Sequence, residues 1–210
     1  MSRSEILERY VGIARAAGTH VEFITADDLP GRLAPILLEL TESRNPAPMD
    51  NPEPRLAALP ASGWPQGLQE SVGIILAASG YETIMPREMP GGYAWDRDRL
   101  ARASIGITWC AEFLADTGSL VLPAGPGMGT LAALLPEVHL ALSYAEGCRT
   151  GLADYLRERG NTLPRRLTLV TGPSRTGDIE ATMTTGVHGP RKVLHFILDG
   201  VDPETPHADG

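Results

Sequence analysis

The stretch of the chain from residue 167 to residue 190 combines the residue types that could bind or transform a small anion. Residues 167–170 form a short apolar run typical of a strand, the run stops at Gly172, and a polar helix is predicted to open near Thr176. A strand, turn and helix in this order bring backbone N–H groups and short hydroxyls to the carboxyl edge of a sheet, where ligands favour binding. The candidate ligand-binding residues here are Gly172, Ser174, Arg175 and Thr176.

Arg175 decides between two interpretations of this stretch. Ser174 and Thr176 can cap the predicted helix, while Asp178 and Glu180 would lie in its first turn and already satisfy the positive end of its dipole. A bound anion would be repelled there unless Arg175 faces the cleft as its counter-charge. If Arg175 instead pairs with one of the two acids at the surface, the motif is mainly structural.

His188 is the best histidine candidate for proton transfer. It lies in a Gly-rich turn, where it could shuttle a proton or orient a ligand, although a histidine in a turn can equally be an ordinary surface or packing residue. His139 and His195 lie inside predicted strands, His20 at a strand start and His207 in a polar tail. No pair of histidines has metal-ligand spacing, so no metal site is predicted on this chain.

Asp116, Thr117 and Gly118 stand directly before the apolar run at residues 120–122. A carboxylate beside a hydroxyl and a glycine could act as a general base or a nucleophile, or could orient a substrate hydroxyl. The alternative is an aspartate that bonds its own backbone in a turn.

A glycine loop follows the same run, with Gly125, Gly127 and Gly129 in the sequence GPGMG. It precedes an apolar segment at residues 131–135, so it is predicted to open a helix and to offer N–H groups to a phosphate or carboxylate. Its spacing matches neither a P-loop nor the dinucleotide fingerprint. The glycines could also serve only close helix–sheet packing and positive backbone φ.

Two ordered blocks of sequence carry a family resemblance. The first block consists of residues 116–122 (DTGSLVL), 125–129 (GPGMG) and 134–139 (LLPEVH), and the second of residues 172–180 (GPSRTGDIE) and 186–190 (GVHGP). Both blocks resemble the signatures of the LUD-domain family, in particular its lactate-utilisation protein C group. The resemblance covers residues 105–199 best, and it departs from the family where Asp116 replaces a usual Glu and Gly177 a usual Ala.

The resemblance implies a function in lactate metabolism. It implies a cofactor-poor subunit that acts with separate iron–sulfur and oxidoreductase partner proteins in the oxidation of L-lactate to pyruvate, binding a small organic acid such as lactate or pyruvate, or another anion. It also implies a fold similar to the superfamily of sugar-phosphate isomerases, glucosamine-phosphate deaminases and CoA-transferases.

Two other functions stay open at this point. The chain could be a stand-alone isomerase, deaminase or acyl transferase for a phosphate- or CoA-bearing substrate, with Asp116 and His188 as the acid–base pair. Such an enzyme needs a basic clamp, for which the sequence offers Arg175, Arg191 and Lys192. The third possibility is a non-catalytic interaction module.

Composition limits the partners and cofactors. The 210 residues carry 18 Lys and Arg against 26 Asp and Glu, a net charge of −8, which argues against nucleic acid as a partner. No apolar run of about 18 residues predicts a membrane span, and the N-terminus lacks a leader pattern, so a cytoplasmic protein is expected. Cys110 and Cys148 are too few and too far apart for an iron–sulfur cluster, so any such cluster is expected on a partner chain.

The order of elements predicts a single α/β domain over residues 1–210, with a Pro-rich surface loop at 45–65 and a polar tail at 200–210. A capping box at Ser2 and Glu5 opens the first helix, and Pro35 is expected to be tolerated only in the first turn of the second. Apolar strands alternate with helices and show no signal for tight hairpins. This predicts an open three-layer α/β fold, with a mainly parallel sheet and helices on both faces.

Overall fold

A computed structural model describes residues 1–42, 54–177, 183–185 and 189–198. The helices are α1 Arg3–Ala16, α2 Leu29–Glu42, α3 Leu68–Ala78, α4 Arg97–Arg102, α5 Thr130–Leu134 and α6 Leu152–Arg159. The strands are β1 Thr19–Ile24, β2 Arg55–Ala58, β3 Tyr81–Ile84, β4 Arg87–Met89, β5 Gly92–Ala94, β6 Ile105–Trp109, β7 Glu112–Leu114, β8 Ser119–Pro123, β9 Val138–Tyr144, β10 Cys148–Arg149, β11 Leu167–Val170, β12 Arg175–Gly177, β13 Met183–Thr185 and β14 Lys192–Leu198.

A parallel sheet forms the centre of the described structure. Its strand order is β1-β14-β9-β6-β2-β3, and every neighbouring pair runs in parallel. The longest pairing joins β14 to β9, from Lys192 opposite Val138 to Leu198 opposite Tyr144. These two strands are nearly continuous apolar runs, as expected for strands covered on both faces. The prediction of a mainly parallel α/β sheet is confirmed.

Helices cover both faces of this sheet. On one face α2 and α3 pack on the side chains of alternate strand residues, with Leu33, Leu76 and Phe196 fully buried among them. On the other face lie α1, α4 and α5 together with a smaller sheet, and Tyr10 and Phe113 are buried there. The outer side of the smaller sheet is covered by α6. The expectation of three layers with helices on both faces is therefore confirmed.

The smaller sheet differs from the expected alternation of parallel strands. Its order is β10-β7-β8-β11, with β8 antiparallel to both β7 and β11. The runs at residues 120–122 and 167–170 thus belong to an antiparallel arrangement. The turn between β7 and β8 spans only residues 115–118, and Gly118 makes it possible with a φ of 66°. No tight hairpin was expected from the sequence, and this expectation was wrong.

The first helix follows its sequence signal closely. The Ser2 Oγ accepts a hydrogen bond from the backbone N–H of Glu5 at 3.3 Å, and the Ser2 N–H donates to the Glu5 carboxylate at 2.6 Å. This is the reciprocal capping box that the sequence predicts. Gly18, with a φ of 97°, follows the helix and turns the chain into β1.

Two expectations about proline were wrong. The loop predicted at 45–65 contains β2, which pairs with β6 and β3 inside the parallel sheet, because Pro54 and Pro60 flank the strand rather than interrupt it. Residues 43–53 of that loop lie outside the described residues. Pro35 lies well inside α2, which begins at Leu29, so this helix tolerates the loss of one backbone donor.

The helix predicted after Thr176 is not formed at its expected start. Residues Arg175–Gly177 are extended as β12 and pair antiparallel with β13. A capping role for Ser174 and Thr176 is therefore wrong, because the backbone that they would cap is a strand. Asp178 and Glu180, which were placed in the first turn, lie outside the described residues, as does the tail at 200–210. Within the described ranges, none of the helices combines the length and the apolar character needed to cross a bilayer.

Candidate functional site

The glycine loop lies at the carboxyl edge of the parallel sheet. After β2 ends, the Ala61 N–H donates to the Gly127 carbonyl at 2.9 Å, and the Ser62 hydroxyl donates to the Pro126 carbonyl at 2.6 Å. The loop follows β8 and precedes α5, whose N-cap is Gly129, so the predicted order of strand, loop and helix is confirmed. The carboxyl edge of a parallel sheet is where α/β proteins place their ligands.

Close packing explains why the loop is rich in glycine. A Cβ on Gly129 would lie 2.6 Å from Cζ2 of Trp95, and a Cβ on Gly125 would lie 2.8 Å from the Met128 sulfur. Gly127 has a φ of 71°, which favours glycine by itself. The packing role that the sequence left open is therefore present, whereas anion binding by the N–H groups of the loop stays a prediction.

An open cleft of about 450 Å³ lies beside this loop, and we call it the outer cleft. Four side chains that the sequence analysis did not select contribute to its wall. Tyr93 lies in β5 and Trp95 directly after it, whereas Arg166 directly precedes β11 and Thr168 lies within it. The cleft has the size range of small-molecule sites, and its wall combines aromatic rings with polar side chains.

Arg166 supplies positive charge to the outer cleft. Its side chain is exposed, and among the described residues no carboxylate forms an ion pair with its guanidinium. Its backbone is held in place, because the Ala124 N–H donates to the Arg166 carbonyl at 2.9 Å. An unpaired guanidinium at the mouth of a cleft is well suited to bind a carboxylate or phosphate in a bidentate manner.

Other cations of the described chain are engaged elsewhere. Arg149 and Arg159 both bind the carboxylate of Glu112, and this pairing raises the pKa of Arg159. Arg191 pairs with Glu137 at 3.5 Å, and Lys192 pairs with Glu39 at 3.3 Å. The last two were candidates for a phosphate clamp with Arg175, and in the structure their charges are already opposed by carboxylates.

A second, smaller cavity lies next to the outer cleft, and we call it the inner cavity. Its volume is about 50 Å³, and Met128 and Thr130 line both spaces. Thr108, at the end of β6, contributes to its wall and is only 2% exposed. The Thr108 hydroxyl is 2.8 Å from Nε2 of His139, a fully buried histidine whose Nδ1 has no partner among the described atoms.

The Asp116 motif lies at the other end of β8. Its three residues form the turn from β7 into β8, and Gly118 packs so tightly on α1 that a Cβ there would lie 2.6 Å from the backbone nitrogen of Ala14. The Asp116 side chain is exposed, and its carboxylate lies against Gly151, where a Cβ would be 2.3 Å from Oδ2. Thr117 accepts a hydrogen bond from the Ser119 hydroxyl at 2.8 Å.

The segment from Gly172 to Arg175 lies beside the Asp116 turn. The Ser119 hydroxyl is 2.6 Å from the Thr171 hydroxyl, which links the two motifs. Gly172, with a φ of 74°, packs on Ala17, where a Cβ would be 2.2 Å from the carbonyl oxygen. Arg175 donates to the same Ala17 carbonyl at 3.1 Å, so its charge is at the negative end of α1.

This segment lies at the amino edge of the parallel sheet. The Ser174 N–H donates to the Pro190 carbonyl at 2.9 Å, directly before β14, and a Cβ on Gly18, directly before β1, would lie 2.9 Å from the Arg175 guanidinium. The expectation that this stretch reaches the carboxyl edge was therefore wrong. The side chain of Thr176 and the whole of His188 lie outside the described residues.

The predicted site residues thus fall into two groups. The turn of Asp116, Thr117 and Gly118 and the segment from Gly172 to Arg175 are close together, whereas Gly125 to Gly129 are at the far end of β8. A five-residue strand separates its ends by roughly 15 Å, so the two groups do not form one site. The roles predicted for Asp116 and His188 stay predictions.

The fold and the cleft define an α/β protein with a ligand-sized space at the carboxyl edge of a parallel sheet. The chain belongs to the LUD-domain family, since the LUD domain matches residues 88–198, and the resemblance seen in the sequence is confirmed. That range includes β5, the glycine loop and β11, which together form the outer cleft.

Curated relatives carry the name lactate utilization protein C. The protein from Geobacillus sp. strain WCH70 is 32% identical over 126 residues, covering 54% of this chain and 52% of the relative. The protein from Anoxybacillus flavithermus is 34% identical over 116 residues (50% and 52%), and that from Bacillus subtilis 29% over 136 residues (57% of each). The matched part of this chain spans about half the length of these relatives.

A solved structure supports the fold. The crystal structure of a DUF162 family protein from Deinococcus radiodurans aligns with a TM-score of 0.61 at 20% identity, covering 94% of this chain and 99% of that one. The similarity thus extends beyond the matched family range to nearly the whole fold.

Proposed function

We propose that this chain is a subunit of a lactate-utilisation system. It would bind a small organic acid, lactate or pyruvate, in the outer cleft and act with iron–sulfur and oxidoreductase partner proteins in the oxidation of L-lactate to pyruvate. The observation that carries the proposal is the family match over residues 88–198, together with the shared name of the relatives. The matched range contains every residue that lines the outer cleft except Pro86.

The electrostatics of the outer cleft support an anionic ligand. Among the described residues no carboxylate pairs with the Arg166 guanidinium, and Thr168, two residues further along the chain, adds a hydroxyl. A carboxylate can accept two parallel hydrogen bonds from one guanidinium, which fixes both its position and its orientation. Since the protein has a net charge of −8, this local positive charge is what would attract an acid to the cleft.

The chain has two cysteines, and neither is exposed. Burial raises the pKa of the Cys110 thiol to about 12 and that of the Cys148 thiol to about 12. Cluster ligands are thiolates, so neither cysteine is a preformed ligand in the metal-free protein. Among the described residues no group of three or more His, Cys, Asp or Glu could hold a metal ion. We propose that any iron–sulfur cluster of the system is carried by a partner chain.

Replacing Arg166 with alanine is expected to abolish growth on L-lactate. A strain of the source organism with the gene deleted would be complemented with wild type, Arg166→Ala or Arg165→Ala at matched protein levels. Arg165 is the adjacent exposed arginine and does not line the cleft, so it controls for the loss of one charge. Loss of a charge-assisted hydrogen bond weakens binding about tenfold to a hundredfold, and titration of the purified variants with pyruvate measures this.

The same strain tests the group at the amino edge. Asp116→Ala, Arg175→Ala and His188→Ala would be complemented in parallel. Failure of Arg166→Ala with rescue by the other three places the function in the outer cleft, and the opposite result places it at the amino edge. If the deletion strain grows normally on L-lactate and has no second lactate dehydrogenase, the lactate-utilisation proposal is wrong.

A further inference from the structure

The inner cavity is a small and mainly apolar space, and the residues that line it include three with hydroxyl groups, Ser62, Thr108 and Thr130. One water-sized group needs about 10–15 Å³ of cavity volume. The inner cavity, with a volume of about 50 Å³, therefore has room for roughly three to five such groups. A three-carbon acid has six heavy atoms, so the cavity can take most of one. Since Met128 and Thr130 line both spaces, an acid at their junction can present one end to each.

Met128 is suited to admit a ligand to this space. It packs on two glycines, because a Cβ on Gly63 would lie 2.9 Å from its terminal methyl and a Cβ on Gly125 would lie 2.8 Å from its sulfur. The side chain is 37% exposed. Methionine is unbranched and changes rotamer easily, so it can move without a shift of the backbone.

The hydrogen bonding of His139 determines what the Thr108 hydroxyl can do. Burial lowers the pKa of His139 to about 3, so the ring is neutral near pH 7 and carries one N–H. If that proton were on Nδ1, a buried N–H donor would have no partner, which proteins strongly avoid. With the proton on Nε2, the ring donates to the Thr108 oxygen and only an acceptor is left unpaired.

This tautomer frees the Thr108 proton. The threonine oxygen accepts from His139, so its own O–H is available as a donor, and the structure shows no protein acceptor for it among the described residues. Because Thr108 lines the inner cavity, a group that fills the cavity can serve as the acceptor of this bond. Keto, hydroxyl and carboxylate oxygens of a small acid all accept such a bond.

We propose that the inner cavity is the subsite for the C2 oxygen of a small 2-oxo or 2-hydroxy acid, with Thr108 as its hydrogen-bond donor and His139 as the residue that positions Thr108. This rests on the proposed function, because it takes the ligand to be the acid of the outer cleft. The carboxylate of the acid faces the outer cleft and Arg166, and the C2 oxygen faces Thr108.

Binding of pyruvate and L-lactate to purified variants tests the subsite. Thr108→Val keeps the shape of the side chain and removes the hydroxyl, and it is expected to weaken pyruvate binding about tenfold, the value of one buried hydrogen bond. Thr108→Ser restores the donor and is expected to bind within about twofold of wild type. Thr83→Val, on β3 and outside both cavities, is the matched control.

His139 is tested by a spectroscopic measurement and a rescue. Long-range ¹⁵N–¹H correlation spectra are expected to show the Nε2–H tautomer of His139, with a shift on addition of pyruvate. His139→Leu is expected to weaken binding as much as Thr108→Val, whereas His139→Gln, which can donate an N–H to Thr108, recovers at least half of the loss in binding free energy. Dispersed amide spectra establish that each variant is folded.

The possible outcomes separate this inference from the proposed function. Unchanged binding in folded Thr108→Val, or an Nδ1–H tautomer, overturns the inner subsite. If Arg166→Ala then still weakens binding, the outer cleft and the proposed function stand. If wild type binds neither acid at millimolar concentration, the subsite is overturned, and growth of the deletion strain on L-lactate decides the proposed function independently.

Discussion

Acidification from pH 6.5 towards pH 4.5 is expected to destabilise this protein by about 1.4 kcal/mol per pH unit for each of two buried histidines. His139 and His195 are fully buried, and burial lowers the pKa of each ring to about 3. In the unfolded chain both pKa values return to about 6.5. Between these values the unfolded state binds protons that the folded state cannot, so the free energy of unfolding falls as the pH falls.

The surroundings of His195 explain why its ring stays neutral. Its Nδ1 is 2.7 Å from the Tyr10 hydroxyl and its Nε2 is 2.6 Å from the Ser143 hydroxyl, so the two hydroxyls satisfy both nitrogens of a neutral imidazole. The phenol pKa of Tyr10 is itself raised by burial, so this neighbour is uncharged as well. A positive charge on His139 would repel one on His195, and this repulsion also lowers the pKa of His195.

Urea unfolding at pH 7.5, 6.5, 5.5 and 4.5 measures this effect. His139→Gln and His195→Asn are each expected to lose about half of the slope that the two histidines contribute. His20→Asn removes an exposed imidazole and controls for the loss of a histidine as such. Carboxylates such as Asp28, whose pKa is lowered by Thr25, add acid sensitivity at lower pH, so differences between variant and wild type are compared. If the free energy of unfolding of both variants falls with pH as steeply as that of wild type, the prediction is contradicted.

Local signals in the sequence were sufficient for most individual elements. The capping box at Ser2 and Glu5 predicts the start of α1, and the apolar runs predict β9 and β14, because these signals depend on neighbours within a few residues. The interpretation of residues 45–65 failed because prolines at both ends of β2 look the same as prolines within a loop.

The direction of strand pairing could not be inferred from local patterns. β11 runs antiparallel to β8, with Leu167 opposite Pro123 and Val170 opposite Leu120. The end of β11 therefore adjoins the Asp116 turn, and its start brings Arg166 next to the glycine loop. A sequence that shows only alternating strands and helices predicts the opposite placement, which is why Arg166 was missed and the segment from Gly172 was assigned to the carboxyl edge.

The remaining residues of the candidate site lack a sequence signal of their own. Tyr93, Trp95 and Arg166 come from the β5 and β11 regions, and only the three-dimensional structure brings them together. His139 was given low weight because it lies inside a strand. Its interest comes from an unpaired Nδ1 and a bond to Thr108 on the neighbouring strand, which depend on the register of β6 and β9.

Helix α5 packs directly on β6, and a substitution at this contact is expected to change the free energy of unfolding more than any other single substitution proposed here. Gly106 is the second residue of β6, and a Cβ there would be 1.6 Å from the carbonyl oxygen of Ala132 and 3.1 Å from Cγ of Pro136. Both obstacles belong to the segment that continues from the glycine loop, and one of them is backbone. Relief of the clash therefore requires that α5 moves away from the sheet, which also displaces the wall of the outer cleft.

Gly106→Ala is expected to lower the free energy of unfolding by about 3 kcal/mol, the upper range for overpacking in a core. Gly73→Ala is the matched control, because Gly73 lies within α3 and no atom is within 4 Å of the added methyl group. Replacing a helical glycine with alanine is expected to stabilise the fold by about 0.5–1 kcal/mol. Urea unfolding of both variants gives opposite signs if the close contact of β6 and α5 is correct. If the free energy of unfolding of Gly106→Ala is within about 1 kcal/mol of the wild-type value, this contact is looser than the structure indicates. Pyruvate binding to the same variant then measures whether α5 holds the outer cleft in its binding shape.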